Sequence, residues 1–245
     1  MATTVNYKIF LTPEDLANNF AEELIGLIKI AEKGNTSLAI AISGGSTPRL
    51  LFTVLSDKYS TAVDWSVVKL FWVDERCVPP DNTESNFGMT NKTLLSKIEI
   101  PSENIFRMRG EDDPVKEAAR YSEVIDKQIH QKNSIPVFDI VLLGMGEDGH
   151  TASIFQGNEK LFSSNKNCDV AVHPVSGQNR ITLTGKVINN ARSIFFLVTG
   201  NNKADIVNEI FRNSAVSGMF PAAYVRSLNG NTTWLLDNEA GKFIS

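Results

Sequence analysis

Four short apolar runs constrain this chain most: SLAIAI at 37–42, VVKLFWV at 67–73, IVLL at 140–143 and SIFFLV at 193–198. None alternates regularly between polar and apolar residues, so each reads as a strand buried on both faces, the habit of a parallel sheet covered by helices. TTWLL at 232–236 reads as a late strand, and 168–175 and 180–183 as two more, joined by a turn at Ser176-Gly177. Helical patterns fall between the runs. Thr12 is placed to cap a helix that opens at Pro13, with Asp15 in the capping-box position. Leu16, Phe20, Leu24, Leu27 and Ala31 then recur at helical spacing, and Gly34 is placed to stop the helix. Further helices are expected over 49–55, 85–98, 112–131 and 204–211. Strands alternating with helices from end to end, with no repeat and no linker, argue a single α/β domain over 1–245. Its core is a doubly wound, mostly parallel sheet flanked by helices, with right-handed crossovers.

An open α/β sheet places its ligand crevice outside the carboxyl ends of its strands, so the residues that follow each run are the candidates for function. After 140–143 come Gly144, Gly146 and Gly149, interleaved with Glu147, Asp148 and His150. An imidazole two residues from a carboxylate can take a proton from water near neutral pH. The competing reading is a tight glycine turn with a solvated Asp and His, and this loop alone does not decide between them. After 37–42 come Ser43, Gly44, Gly45, Ser46 and Thr47, with Pro48 at the start of a helix. Such a turn leaves backbone N–H groups at the positive end of a helix dipole, a binding site for phosphate, and the hydroxyls of Ser46 and Thr47 add donors. The loop matches neither G-x-x-x-x-G-K-[ST] nor G-x-G-x-x-G, which disfavours a nucleoside triphosphate or a dinucleotide. Asp74 and Arg76 follow the run at 67–73, and Lys203 stands after 193–198 at the mouth of a helix. Arg180, opening RITLT, is ambiguous by itself. His130 reads as a dipole partner at a helix C-terminus, and His173 as structural.

Composition narrows the partners. A formal charge of −4 and a pI near 5.5 leave no basic footprint for nucleic acid. Cys77 and Cys168 form no metal or redox pattern, and no His/Cys/carboxylate ligand set is spaced for a metal. No apolar run approaches a membrane span, and MATTVNYKIF lacks the apolar core of a leader peptide. The expectation is a cytoplasmic protein with a small-molecule ligand, no membrane partner and an oligomeric state the sequence leaves open.

Taken together, SGGSTPRLL at 43–51, WVDERCVP at 72–79, SNFGM at 85–89, LLGMGEDGHTASIF at 142–155, RITLT at 180–184 and GNNKA at 200–204 resemble the glucosamine-6-phosphate isomerase/6-phosphogluconolactonase family. The segments stand in the family's order, and the resemblance implies a Rossmann-like fold of the sugar-phosphate isomerase/lactonase type. One position separates the branches. The deaminases resembled here carry a glutamate five residues after the loop histidine, where this chain has Phe155, and a phenyl ring cannot exchange protons. Thr151 after the histidine and Arg76 ending the DER motif also resemble the lactonase side. Gln156 departs from the pattern, which usually has proline there, and puts the geometry of the loop in question.

The resemblance implies hydrolysis of 6-phospho-D-glucono-1,5-lactone, a phosphorylated sugar lactone, without a cofactor or metal. It casts His150 as the general base and then acid, with Asp148 orienting it. Gly44, Gly45, Ser46 and Thr47, with Ser43 beside them, would hold the phosphate together with Arg180 and Lys203. Asp74 and Arg76 would contact ring hydroxyls or the lactone oxygen, and N–H groups around Gly144 to Gly146 the oxyanion. The rival readings are a sugar-phosphate isomerase or deaminase using the same crevice, a binding module that has lost catalysis, and a metal-assisted hydrolase. Phe155 weighs against the first and the intact Asp148/His150 pair against the second; inactivation by a chelator would mark the third.

Overall fold

The apolar runs become neighbouring strands. The computed structural model describes residues 6–212, 214 and 216–244; residues 1–5, half of the stretch read above for a leader, lie outside them. The strands are β1 (Asn6–Phe10), β2 (Leu38–Ile42), β3 (Val68–Trp72), β4 (Asp74–Arg76), β5 (Ile105–Phe106), β6 (Gln131–Lys132), β7 (Ile135–Pro136), β8 (Ile140–Leu143), β9 (Cys168–Val172), β10 (Asn179–Leu183), β11 (Ser193–Val198) and β12 (Asn231–Asp237). The helices are α1 (Pro13–Lys33), α2 (Ser46–Tyr59), α3 (Asn86–Thr93), α4 (Pro114–Gln128), α5 (Gly185–Asn189) and α6 (Ala204–Phe211).

Seven strands form one sheet in the order β1-β12-β11-β8-β2-β3-β5, and every pairing in it is parallel. Successive residues of the inner strands β2, β3, β8 and β11 enter opposite cores, which is why those four runs are largely apolar. Ile40, Ile42, Leu70, Trp72, Ile140 and Leu142 pack with Phe20, Leu24 and Ile28 of α1 and with Leu51, Phe52 and Leu55 of α2. Ala41, Phe71, Val141, Leu143, Phe196 and Val198 face the other way, toward Tyr121 and Ile125 of α4, Ile181 and Leu183 of β10, and Val207 of α6. Tyr121 also ties α4 to the sheet edge: its hydroxyl accepts from Trp72 N–H at 2.9 Å and reaches the Phe106 carbonyl at 3.0 Å.

Part of that second layer is itself a sheet. β4, β10 and β9 form an antiparallel unit, so the segments 168–175 and 180–183 are strands as expected but stand outside the parallel array. The chain crosses between sheets at Val73, whose N–H donates to Ile42 and whose carbonyl accepts from Leu183.

Several boundaries differ from the sequence reading. Thr12 caps α1 by accepting from Asp15 N–H, but Gly34 is right-handed at φ −82° and Asn35, at φ 49°, makes the left-handed stop. The helix expected over 85–98 ends at Thr93, followed by a short 3-10 turn over Leu95–Lys97. Thr90 and Thr93 donate their hydroxyls to carbonyls one turn back, a competition that weakens a helix interior. The helix expected to reach 131 ends at Gln128 because Gln131 joins a hairpin that turns through Asn133 and Ser134, both at positive φ. His130, read as a dipole partner within that helix end, therefore lies two residues past the last helical position. The strand expected to reach 175 ends at Val172, before a turn in which His173 N–H donates to Gln178 and Gly177 N–H to His173; Pro174 has no N–H to continue a ladder.

Candidate active site

Strand order reverses at β2 and β8. From β2 the chain builds outward through β3 to β5, and from β8 it builds the other way through β11 to β12. The loops leaving two adjacent strands at such a switch point diverge and leave a crevice. Here the crevice encloses about 250 Å³, room for one small molecule and less than most ligand clefts offer. Ser43, Gly44, Gly45, Ser46, Thr47, Asp74, Arg76, Gly146, His150, Arg180 and Lys203 all line it. Among the candidates named from sequence, only Asp148 stands behind the lining, in contact with His150.

One end of the crevice is mostly main chain. Gly45, at φ 112°, turns the chain from β2 into α2, and no side chain caps that helix. Pro48 stands in its first turn and no acidic residue does, so no carboxylate of that turn opposes the N–H groups that a helix N-terminus leaves unpaired. A Cβ on Gly44 would run into the Asn86 carboxamide, so the close approach of these two segments requires glycine. Ser43 is spent on the fold, its hydroxyl donating to the Leu142 carbonyl at 2.9 Å. Thr47 Oγ1 lies 2.8 Å from Thr199 Oγ1, joining the loop after β2 to that after β11. That second loop is gripped from below, because the Asp237 carboxylate accepts from Gly200 N–H at 3.0 and 3.1 Å. Lys203 projects from it, its ammonium pushed below the usual lysine range by burial, with Glu147 and Asp148 pulling partly the other way.

The side wall comes from the small sheet. Arg76 and Arg180 are register partners across β4 and β10, and among the described residues neither forms an ion pair. The Nε of each is buried without a hydrogen-bond partner among the described residues. Burial, then the neighbouring Arg76 charge, lowers the Arg180 pKa. Two adjacent, incompletely satisfied guanidinium groups at a crevice wall suit an anionic or oxygen-rich ligand. Asp74, buried, accepts from Ser153 Oγ at 2.7 Å and from Asn86 Nδ2 at 3.3 Å. Glu75, also buried, points away to accept from the Arg76, Asn86 and Phe87 amides and the Ser85 hydroxyl; burial raises its pKa against those bonds.

The far end holds Asp148 and His150. His150 Nδ1 lies 2.5 Å from Asp148 Oδ1, with the two side chains 29% and 48% exposed. Burial alone would raise the Asp148 carboxyl, but the hydrogen bond and charge of His150 outweigh it and bring the pKa down to about 2. An ionised carboxylate only accepts, so Nδ1 is the nitrogen that donates in this contact, and in the neutral ring the lone pair is then on Nε2. The Gly146 N–H donates to the His150 carbonyl at 2.8 Å and Thr151 Oγ1 to the Gly144 carbonyl at 2.8 Å. A Cβ on Gly146 would occupy the space of the imidazole.

Asn86, Ser153 and Thr199 serve this site without having been singled out. Asn86 lies in the SNFGM segment, but its partners Gly44 and Asp74 come from elsewhere in the chain, and no local pattern shows such a contact. Among the described residues no group of three or more His, Cys, Asp or Glu side chains is placed to hold a metal ion.

The chain matches the family model for glucosamine-6-phosphate isomerases/6-phosphogluconolactonase over residues 11–234. It is similar to the 6-phosphogluconolactonase of Haemophilus influenzae, 40% identical over 241 residues that cover 98% of this chain and 100% of the relative. The 6-phosphogluconolactonase of Treponema pallidum is 43% identical over 194 residues, 79% of this chain and 80% of the relative. The solved 6-phosphogluconolactonase from Trypanosoma cruzi superposes with a TM-score of 0.90 at 29% identity, covering 100% of this chain and 98% of that one. The architecture is thus an open, doubly wound α/β sheet with its crevice at the switch point. The chain belongs to the glucosamine-6-phosphate isomerase/6-phosphogluconolactonase family.

Proposed function

We propose that this chain hydrolyses 6-phospho-D-glucono-1,5-lactone to 6-phospho-D-gluconate, a step of the oxidative pentose phosphate pathway. The observation that carries the reading is the Asp148–His150 pair, closed at 2.5 Å, in a crevice whose other end offers unopposed helix N–H groups and Lys203. Relatives named 6-phosphogluconolactonase, similar over almost the whole chain, support the choice of substrate.

In this reading the phosphate rests on the N–H groups and hydroxyls of residues 44–47, with Arg180 and Lys203 supplying charge. Charge-assisted bonds are roughly twice as strong as neutral ones, and an anchored phosphate holds C1 against the base. Asp74 and Arg76 contact ring hydroxyls or the lactone oxygen. His150 Nε2 removes a proton from water as the water oxygen bonds to C1. The negative charge passes to the carbonyl oxygen, met by N–H groups at Gly144 and Met145, that of Gly146 being committed to the His150 carbonyl. The C1–ring oxygen bond then breaks, and the imidazolium returns its proton to the departing ring oxygen. Asp148 stabilises the imidazolium without taking the proton. A strained cyclic ester opens readily, so the mechanism calls for no metal and no organic cofactor.

The compartment in this reading is the cytoplasm; no described helix is long and apolar enough to cross a membrane. The test is the rate of acid release from freshly made 6-phosphogluconolactone above its spontaneous hydrolysis, with unphosphorylated gluconolactone as control. A strong preference for the phosphorylated lactone is expected, and equal rates on both would remove the anion-anchor half of the reading.

A further inference from the structure

The loop that carries the acid–base pair folds back on itself. Ala152 stands at φ 50°, a left-handed conformation that strains a non-glycine residue and persists only where the surroundings enforce it. An antiparallel bridge joins Thr151 to Ile154, closed by Ile154 N–H donating to the Thr151 carbonyl at 2.9 Å. The reversal returns the next two residues to the pair. The buried Phe155 ring lies 4.8 Å from the His150 imidazole, centroid to centroid, tilted by 45°. Gln156 Nε2 donates to the Asp148 carbonyl at 3.2 Å. Consecutive residues therefore hold the two halves of the pair, one by its ring and the other by its peptide.

Phe155 is itself supported from its other side. The His173 ring meets it edge-on at 5.0 Å and 68°. His173 is held in turn, its Nδ1 facing the amides of Val175 and Ser176 at 3.3 and 3.1 Å, which requires an unprotonated Nδ1. Burial and the Arg180 charge favour the same neutral form.

We propose that Phe155 and Gln156 are positioning residues: Phe155 confines the imidazole to the orientation in which Nδ1 meets Asp148, and Gln156 fixes the peptide that carries Asp148. This rests on the reading of His150 as the base. A residue that only fills the core would change the amount of folded protein and leave turnover per folded molecule intact; a positioning residue lowers kcat, spares KM and acts only while His150 is present.

The experiment measures kcat and KM on the lactone for Phe155→Leu and Gln156→Ala, each alone and combined with His150→Ala, with 15N NMR of the imidazole as a readout separate from turnover. Aromatic pairs contribute about 1 kcal/mol beyond the area they bury, so Phe155→Leu is expected to lower kcat about fivefold. Gln156→Ala, which removes an exposed bond, is expected to lower it about twofold. KM stays near its original value in both, neither change slows the His150→Ala protein further, and the imidazole nitrogen shifts move from a single Nδ1–H tautomer toward a mixture. Full kcat in both single variants overturns the proposal, as does an equal slowing with and without His150. Should Phe155→Leu not fold, His173→Ala removes the outer support of the ring and is expected to reproduce the tautomer shift; an unchanged spectrum there, with full kcat in Gln156→Ala, is equally fatal. If His150→Ala itself keeps near-normal turnover, the base assignment fails instead, and the nitrogen shifts still report whether Phe155 orients the ring.

Discussion

In the proposed reading the crevice has an anion end and a reaction end, and the two are built in different ways. At the anion end the donors are largely main chain, set at the carboxyl ends of β2 and β11 and clamped by Asp237 on Gly200 and by the Thr47–Thr199 contact. At the reaction end a loop holds itself, through Gly146 to His150, Thr151 to Gly144 and the turn at Ala152. The first end inherits the rigidity of the sheet, and no single side chain carries it. The second depends on individual atoms, above all the two ring nitrogens of His150. Substitutions at the anion end should therefore appear in KM and in product affinity, and those at the reaction end in kcat.

The largest effect tests that division directly. His150→Ala removes the only imidazole among the lining residues and is expected to lower kcat by about 10²- to 10⁴-fold, with the affinity for 6-phosphogluconate, read by calorimetry, almost unchanged. An equal loss of product affinity would mean that the reaction end also binds, and the contrast between the ends would fail. Asp148→Asn comes next. It leaves Nε2 in place but removes the acceptor that selects the tautomer, and both side chains are partly solvated. The expected loss of kcat is on the order of 10- to 100-fold. Because the Asp148 pKa is depressed from 3.8 to about 2, the pairing stabilises the fold above pH 3.8, and that contribution disappears as pH falls toward 2. In urea unfolding, the wild-type advantage over Asp148→Asn should shrink in that acidic window.

Much of this was legible in the sequence, and the limits follow from where the information sits. Residues 37–42, 67–73, 140–143 and 193–198 announce parallel strands because burial on both faces leaves no polar position. Once the sheet is accepted, the loops after those strands must converge, so residues 43–47, 74–76, 144–150 and 203 could be placed near one another. What was hidden is long-range. That 179–183 pairs with 74–76 on one edge and with 168–172 on the other, in a separate sheet, depends on which strand edges meet, and neither segment carries that in its own residues. Asn86 under Gly44 and Phe155 beside His150 are contacts of shape, visible only with the chain folded. Gln156, the departure that put the loop in question, bonds back to Asp148 and so holds the turn through a side chain that proline would lack.

At the anion end the effects are smaller and of the other kind. Arg180→Ala removes one of two adjacent guanidinium groups, and a hydrogen bond to a charged group is worth about 1.5–3 kcal/mol. KM and the inhibition constant of 6-phosphogluconate should rise at least about tenfold, with kcat changed far less. A fall in kcat at constant KM would place Arg180 with the reaction end and redraw the boundary between the two.

The smallest effect is a pH dependence confined to one end. Burial lowers the Lys203 pKa below its ordinary 10.5, so in the free protein its proton leaves earlier on the alkaline side than an unburied lysine's would. An ammonium attracts a phosphate and a neutral amine does not. Affinity for 6-phosphogluconate should therefore hold through neutrality and weaken as pH rises through that depressed value, with proton uptake on binding in the same range. In Lys203→Arg the side chain stays charged and this alkaline limb should move up or flatten; in Lys203→Ala affinity should be lower throughout, with the limb absent. Burial, Glu147 and Asp148 set the Lys203 shift and His150 is not among its causes, so His150→Ala should keep this alkaline limb. A limb that survives Lys203→Arg unchanged would assign the titration to another group and leave Lys203 as packing at the helix mouth.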